Sequence, residues 1–266
     1  MAFLHTDLNN GVLQLTIDRP KANAFNLELV GELQMAMKQA AKDAQTRVVV
    51  LTGAGKVFGA GQDIEEIFSL ANQASEDYPG SEALSFREHL LKTYNPLVLQ
   101  IRQIEKPVIA AINGPCAGAS LGIALACDLR IAADTARFVV GFGGIGLAPD
   151  SGVSLLLPAL IGLGRALEFS FSNQPILANK ALEWGLVNRL VSLENLAQET
   201  QSIAQELAKG PTAVFGLAKR AFNKAMLPNL EEVLEYESYI QEVAGHRPEH
   251  KEGVAAFLEK RQPIFH

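Results

Sequence analysis

The sequence predicts an α/β core followed by a helical C-terminal section. Two observations carry this. Short apolar runs alternate with helix-spaced segments through the first part of the chain, and from Ser151 onward helical spacing dominates. With 266 residues, 48% hydrophobic and 20% charged, the composition is that of an ordinary globular protein. No internal repeat or low-complexity tract interrupts it.

Taken in order, residues 11–18 alternate partly, like a strand, and Arg19-Pro20 ends it. Asn26 stands as N-cap of a helix running to about residue 42, with Leu29, Val30, Leu33, Met37, Ala40 and Ala41 at helical spacing. Residues 47–52 read as a buried strand ending at Gly53, followed by a glycine-rich loop to Gly61 and a short helix capped by Asp63. Residues 70–81 mix polar residues with Pro79 and Gly80, the composition of a mobile lid. One helix is expected over about 81–104, a strand over 107–112, a small-residue helix over 119–126 and a strand over 128–132. A short strand at 186–191 is the exception in the helical section.

Bulk properties narrow the partners. The net charge of −6 argues against nucleic acid or an acidic membrane surface, because phosphate binding needs clustered Lys and Arg. Residues 107–127 carry no charge, yet Asn113-Gly114-Pro115 breaks the run, so a strand, a turn and a buried helix fit better than a membrane span. Cys116 and Cys127 lie among small apolar residues and are expected to be free buried thiols. The opening residues carry no basic leader, which makes a reducing cytoplasm the expected compartment.

Three glycine-rich sites bear on chemistry. The first, Phe58-Gly59-Ala60-Gly61-Gln62-Asp63-Ile64, leads from a strand into a helix, where small residues let a ligand approach free backbone N–H groups. The second, Asn113-Gly114-Pro115-Cys116-Ala117-Gly118-Ala119, does the same. Each alone reads as a tight strand–helix turn; together they suggest paired donors for one oxyanion. The third, Gly141-Phe142-Gly143-Gly144-Ile145-Gly146, matches G-x-G-x-x-G, with Glu168 near the later acid of a dinucleotide site. Pro149-Asp150 stands where the helix begins, and the Asp150 charge would repel the phosphates, which argues against nicotinamide or flavin. His5, His89, His246, His250 and His266 show no metal spacing, so no metal is expected; His246 and His250 are read as surface residues separated by Pro248. Lys56 in its loop is a candidate phosphate contact or simply a solvated lysine.

Asp150 is the only charge between residues 138 and 164. Apolar surroundings raise a carboxyl pKa toward the range useful for proton transfer. The same Pro-Asp-Ser-Gly pattern also makes a good helix N-cap, and the residues alone leave both roles open.

These segments, with Lys106-Pro107-Val108-Ile109-Ala110-Ala111-Ile112-Asn113-Gly114, Ala126-Cys127-Asp128, Gly146-Leu147-Ala148-Pro149-Asp150-Ser151-Gly152 and Glu183-Trp184-Gly185-Leu186-Val187, resemble the crotonase (enoyl-CoA hydratase/isomerase) superfamily over nearly the whole chain. The resemblance implies a ββα-spiral core over 1–195 and a helical C-terminal trimerisation region over 196–266, assembled as a homotrimer or a hexamer of two trimers. It implies acyl-CoA thioester substrates, with coenzyme A as part of the substrate and no other cofactor. Matched residue by residue, it puts the oxyanion-hole donors at the backbone N–H groups of Ala60 and Ala119. Positions lining the substrate and CoA fall on Ala22, Gln62, Asp63, Ile64 and Gly118. The hydratases of the superfamily use two glutamates, and the matching positions are Gly122 and about Phe142, neither of which moves a proton. Asp150 matches the single acid of the isomerase branch. The pattern from Tyr94 to Val98 and the tail from Ala244 to Arg261 resemble the isomerases acting on ring-epoxide CoA thioesters in phenylacetate breakdown. Aryl-CoA dehalogenases carry an aspartate at about the same place with a histidine base whose position matches Asn95. An isomerase is therefore favoured, with a hydratase or other lyase and a non-catalytic acyl-CoA-binding subunit as alternatives.

Overall fold

Val- and Ile-rich runs line up as the inner strands of one sheet in the computed structural model, which describes residues 2–66 and 85–265. The order is β1 (Leu4–Asn9), β2 (Val12–Ile17), β3 (Val48–Gly53), β4 (Val108–Ile112), β6 (Leu129–Ala133) and β9 (Arg189–Val191). Only β1 runs antiparallel, joined to β2 across Asn10 and Gly11, both at positive φ. That strand was not anticipated, although an Asn-Gly pair between alternating residues is a strong hairpin signal.

The central parallel strands β3 and β4 are buried on both faces, as helical crossovers require. Val49 and Leu51 point into the larger core with Leu29, Leu33 and Met37 of α1 (Leu27–Lys42). Val48 and Val50 point the other way, onto Leu196, Ala204 and Ala208 of the C-terminal helix at Leu196–Lys209. Asn26 caps α1 as expected, its Oδ1 accepting from the Leu29 N–H at 2.9 Å.

A second, three-stranded sheet, β5 (Cys116–Ala117), β7 (Arg137–Val139) and β8 (Ile176–Leu177), projects beside the first. The single helix expected over 81–104 is instead two among the described residues: α2 (Phe86–Lys92) and α3 (Tyr94–Gln103), broken at Thr93. Pro96 explains the break. Inside a continuous helix it would remove a hydrogen bond and clash with a carbonyl one turn back; in the first turn of α3 its missing N–H costs nothing. The lid expected at 70–81 lies outside the described residues.

α4 (Ala119–Ala126) consists of small and apolar residues and is buried throughout. Then come α5 (Val153–Ile161), α6 (Leu163–Ser172), α7 (Ala178–Trp184), α8 (Leu196–Lys209), α9 (Thr212–Met226), α10 (Leu230–Gly245) and α11 (Pro248–Glu259). α10 returns against α2, α3 and α5, and α11 packs on the turn at Gly143–Ile145. The C-terminal helices therefore reach the segment that carries Asp150. Among the described residues no helix is long and apolar enough to cross a membrane.

Candidate active site

The two glycine-rich turns lie side by side. A parallel bridge joins Gly59 to Cys116, and the Phe58 and Gly59 N–H groups both donate to the Pro115 carbonyl. Ser120 locks the pair, its hydroxyl lying 2.6 Å from the Gly59 carbonyl and 2.8 Å from that of Ala117. The approach is close enough to demand glycine: a Cβ on Gly61, at φ +85°, would come within 2.9 Å of the Ala117 carbonyl. Gly118, at φ +55°, turns the chain into α4, so Ala119 is the first helical residue and its N–H has no partner within the helix. Neither the Ala60 nor the Ala119 N–H meets an acceptor among the described residues. Two backbone donors thus stand unpaired on adjoining turns, and Ala119 opens onto a cavity also lined by Asp150.

Asp150 is 6% exposed. Burial pushes its carboxyl up to about 6, against hydrogen bonds from Ser151 and Gln241 that pull it down. Ser151 Oγ donates to Oδ1 at 2.6 Å, and Gln241 Nε2, from α10, donates to Oδ2 at 2.5 Å. Ser151 and Gly152 take positive φ, 56° and 80°, which turns the chain sharply into α5.

Of the two roles left open for Asp150, the helix cap is not the one it takes. The Asp150 carboxylate receives no backbone N–H at the start of α5. That role falls to Glu237 of α10, which accepts from the Gly152 N–H at 2.8 Å and from the N–H and hydroxyl of Ser154 at 2.9 and 2.5 Å. A longer side chain from a neighbouring helix reaches donors that a carboxylate at the turn itself does not, because positive φ at Ser151 carries the chain away. Burial lifts Glu237 up to about 7, opposed by these bonds. Neither Glu237 nor Gln241 was anticipated. Their spacing of four puts both on one face of α10, but only packing shows what that face meets.

Gln62, Ile64, Phe86, His89, Leu90 and Tyr94 line the same cavity. Gln62 Oε1 accepts from Tyr94 Oη at 2.6 Å and meets His89 Nε2 at 3.0 Å, while its Nε2 donates to the Phe25 carbonyl. Burial lowers His89 to about 4, so it is neutral at pH 7. Asp63 pairs with Arg19 at 2.7 Å and caps the helix at 64–66 as expected, its Oδ1 accepting from the Glu66 N–H. Ala22 lies exposed in a turn where Lys21, Ala22 and Asn23 all take positive φ; Asn23 ties that turn to the carbonyls of Ala54 and Val57. Lys56 is exposed.

His250 departs from the surface position expected of it. It is partly buried, lines the cavity, sits edge-on to Phe86 and bonds through Nδ1 to the Ile145 carbonyl at 2.8 Å. His246 is exposed, as expected. The G-x-G-x-x-G segment has a packing purpose: a Cβ on Gly146 would meet the Glu249 backbone at 2.4 Å, and one on Gly253 would meet Ile145 at 2.5 Å. Gly122, the first glutamate position of the resemblance, is closed. A Cβ there would lie 2.6 Å from Ser151 Cβ and 2.7 Å from its carbonyl. Phe142 is buried, and Asn95 turns to α10, donating to Leu234 O and Ser238 Oγ. Both cysteines are buried and free.

Comparisons with known proteins agree with this architecture. The enoyl-CoA hydratase/isomerase family matches residues 7–266. The chain is 39% identical over its whole length to 1,2-epoxyphenylacetyl-CoA isomerase of Escherichia coli, covering 98% of that protein. It is 36% identical to 4-chlorobenzoyl coenzyme A dehalogenase-2 of an Arthrobacter species, over 96% of this chain and 89% of the other. A solved enoyl-CoA hydratase from Mycobacterium avium subsp. paratuberculosis superposes with a TM-score of 0.87 at 33% identity, covering 100% of this chain and 99% of that one.

Proposed function

The chain belongs to the enoyl-CoA hydratase/isomerase family and has its crotonase fold, and from that premise we propose that it is an acyl-CoA thioester isomerase using Asp150 as a single proton shuttle. The observation that carries this is one cavity holding a buried carboxyl beside an unpaired helix-start amide. The thioester oxygen sits between the N–H groups of Ala60 and Ala119. As Asp150 removes a proton next to the carbonyl, negative charge develops on that oxygen, where fixed donors lower the barrier. Asp150 returns the proton elsewhere on the acyl group, shifting a double bond or assisting the opening of a ring epoxide. Coenzyme A arrives as part of the substrate, and the step moves only a proton.

The closed space at Gly122 favours isomerisation over two-carboxylate hydration. The apolar wall of Phe86, Leu90, Ile145, Leu147 and Val254 suits a ring-bearing acyl group, in line with the ring-epoxide substrate named for the Escherichia coli relative. Ala22, Gln62, Asp63, Ile64 and Gly118 border the acyl and CoA path. Exposed Phe171, Phe222, Met226, Tyr236 and Tyr239 on the helical section support assembly as a trimer or a pair of trimers, and the two free cysteines are in keeping with the cytoplasm as its compartment.

Asp150→Asn is expected to lower turnover of ring-bearing and linear enoyl-CoA thioesters by roughly 10²–10⁴-fold. Full activity in that variant removes the proton shuttle. Heavy-oxygen label from water in the product replaces isomerisation with hydration.

A further inference from the structure

A proton shuttle must exist as carboxylate and as acid without dismantling its surroundings. The donors around the Asp150 turn are divided accordingly. The backbone N–H groups of Gly152 and Ser154, which can only donate, go to Glu237. Asp150 is held by a hydroxyl and a carboxamide, both of which can also accept. The carboxamide has a further peculiarity. Gln241 is 2% exposed, and its Oε1 has no hydrogen-bond partner among the described residues. A buried acceptor left unpaired is destabilising and calls for an explanation.

We propose that Gln241 is a positioning residue whose carboxamide inverts as Asp150 gains and loses its proton. With Asp150 ionised, Nε2 donates to Oδ2. With Asp150 protonated, the amide turns over and the now-paired Oε1 accepts the Oδ2–H. The role in turnover rests on the isomerase reading. There, the substrate C–H bond breaks, its electron pair stays on the acyl group as the enolate, and an O–H bond forms at Oδ2; the return step reverses this at another atom. Gln241 exchanges no proton with either partner. Among the described residues, Glu237 on the same helix, Tyr94 on α3, His89 on α2 and His250 on α11 are the other titratable groups near this centre. None supplies a fixed positive charge that would hold Asp150 in one state.

The test is a titration of the full-length protein carrying labelled Asp and Gln side chains, followed by carbon and nitrogen NMR. The Gln241 side-chain resonances should move with the Asp150 carboxyl midpoint and stop moving in Asp150→Asn. Gln241→Met, which keeps length but neither polar atom, should raise that midpoint by about half a unit to one unit. It should lower kcat about tenfold with KM within about twofold, and shift the acid limb of kcat/KM upward. Gln241 resonances indifferent to the Asp150 titration overturn the inversion. So does a Gln241→Met protein with unchanged midpoint and kcat. The spectroscopic readout needs no turnover: if Gln241 follows Asp150 while no acyl-CoA is isomerised, the isomerase reading falls and the inversion stands.

Discussion

The two halves of the proposed site are built from different materials. The Ala60 and Ala119 side is backbone, with two strand–helix turns bridged at Gly59 and Cys116 and pinned by Ser120. The Asp150 side depends on side chains arriving from far along the chain: Glu237 and Gln241 reach a turn about 90 residues earlier. The donors of the backbone half are main-chain amides, so no side-chain truncation removes them and that half is hard to retune. The side-chain half positions one acid and its turn through two side chains of α10, either of which a substitution removes. Changes in each half should therefore fail differently, one in rate alone and the other in rate and stability together.

The largest effect should come from the backbone half. Ala119 is the first residue of α4, a position where proline fits because its missing N–H is not needed by the helix. Ala119→Pro should remove one of the two proposed oxyanion donors and lower kcat by roughly 10²–10³ while leaving the melting temperature close to that of the parent. A large loss of stability would show that this amide is structural. Next comes Glu237→Ala, which strands the buried Gly152 N–H. It should cost on the order of 1–3 kcal/mol in stability and lower kcat as the Asp150 turn loosens. Denaturant unfolding and steady-state kinetics on the same preparation separate the two signatures. A rate loss without a stability loss would mean that Glu237 acts on the chemistry directly.

The same division explains what could be read beforehand. The helix from Asn26, the inner strands, α4 and the paired glycine turns all announce themselves locally through caps, apolar runs and close approaches only glycine permits. Asp150 was legible as a lone charge in apolar sequence. Its holders were not, because α10 reads as an ordinary amphipathic helix and nothing near Glu237 or Gln241 in the chain points to residue 150. Local sequence left Asp150 open as cap or acid, since pattern alone does not reveal the positive φ at Ser151. His250 was misplaced for a related reason: the glycines at 146 and 253 bring α11 down onto the cavity, a packing event between distant segments.

The smallest effect separates the two carboxylates of the side-chain half by pH. In the unfolded chain Asp150 titrates near its ordinary value of 3.8, and in the folded protein near about 6. Between those values the folded state binds more protons, so stability falls as pH rises and the loss is complete above about 6. The shift of about two units corresponds to roughly 3 kcal/mol. Asp150→Asn removes the ionisation while Asn Oδ1 still accepts from Ser151, and an inverted Gln241 amide accepts from Asn Nδ2. The variant should therefore match the parent near pH 4 and exceed it at pH 8 by about 1–3 kcal/mol. Part of the downward slope from about pH 4.5 to 7 should persist, because Glu237 remains. A variant no more stable than the parent at pH 8 would mean that the folded protein carries the ionised Asp150 without penalty.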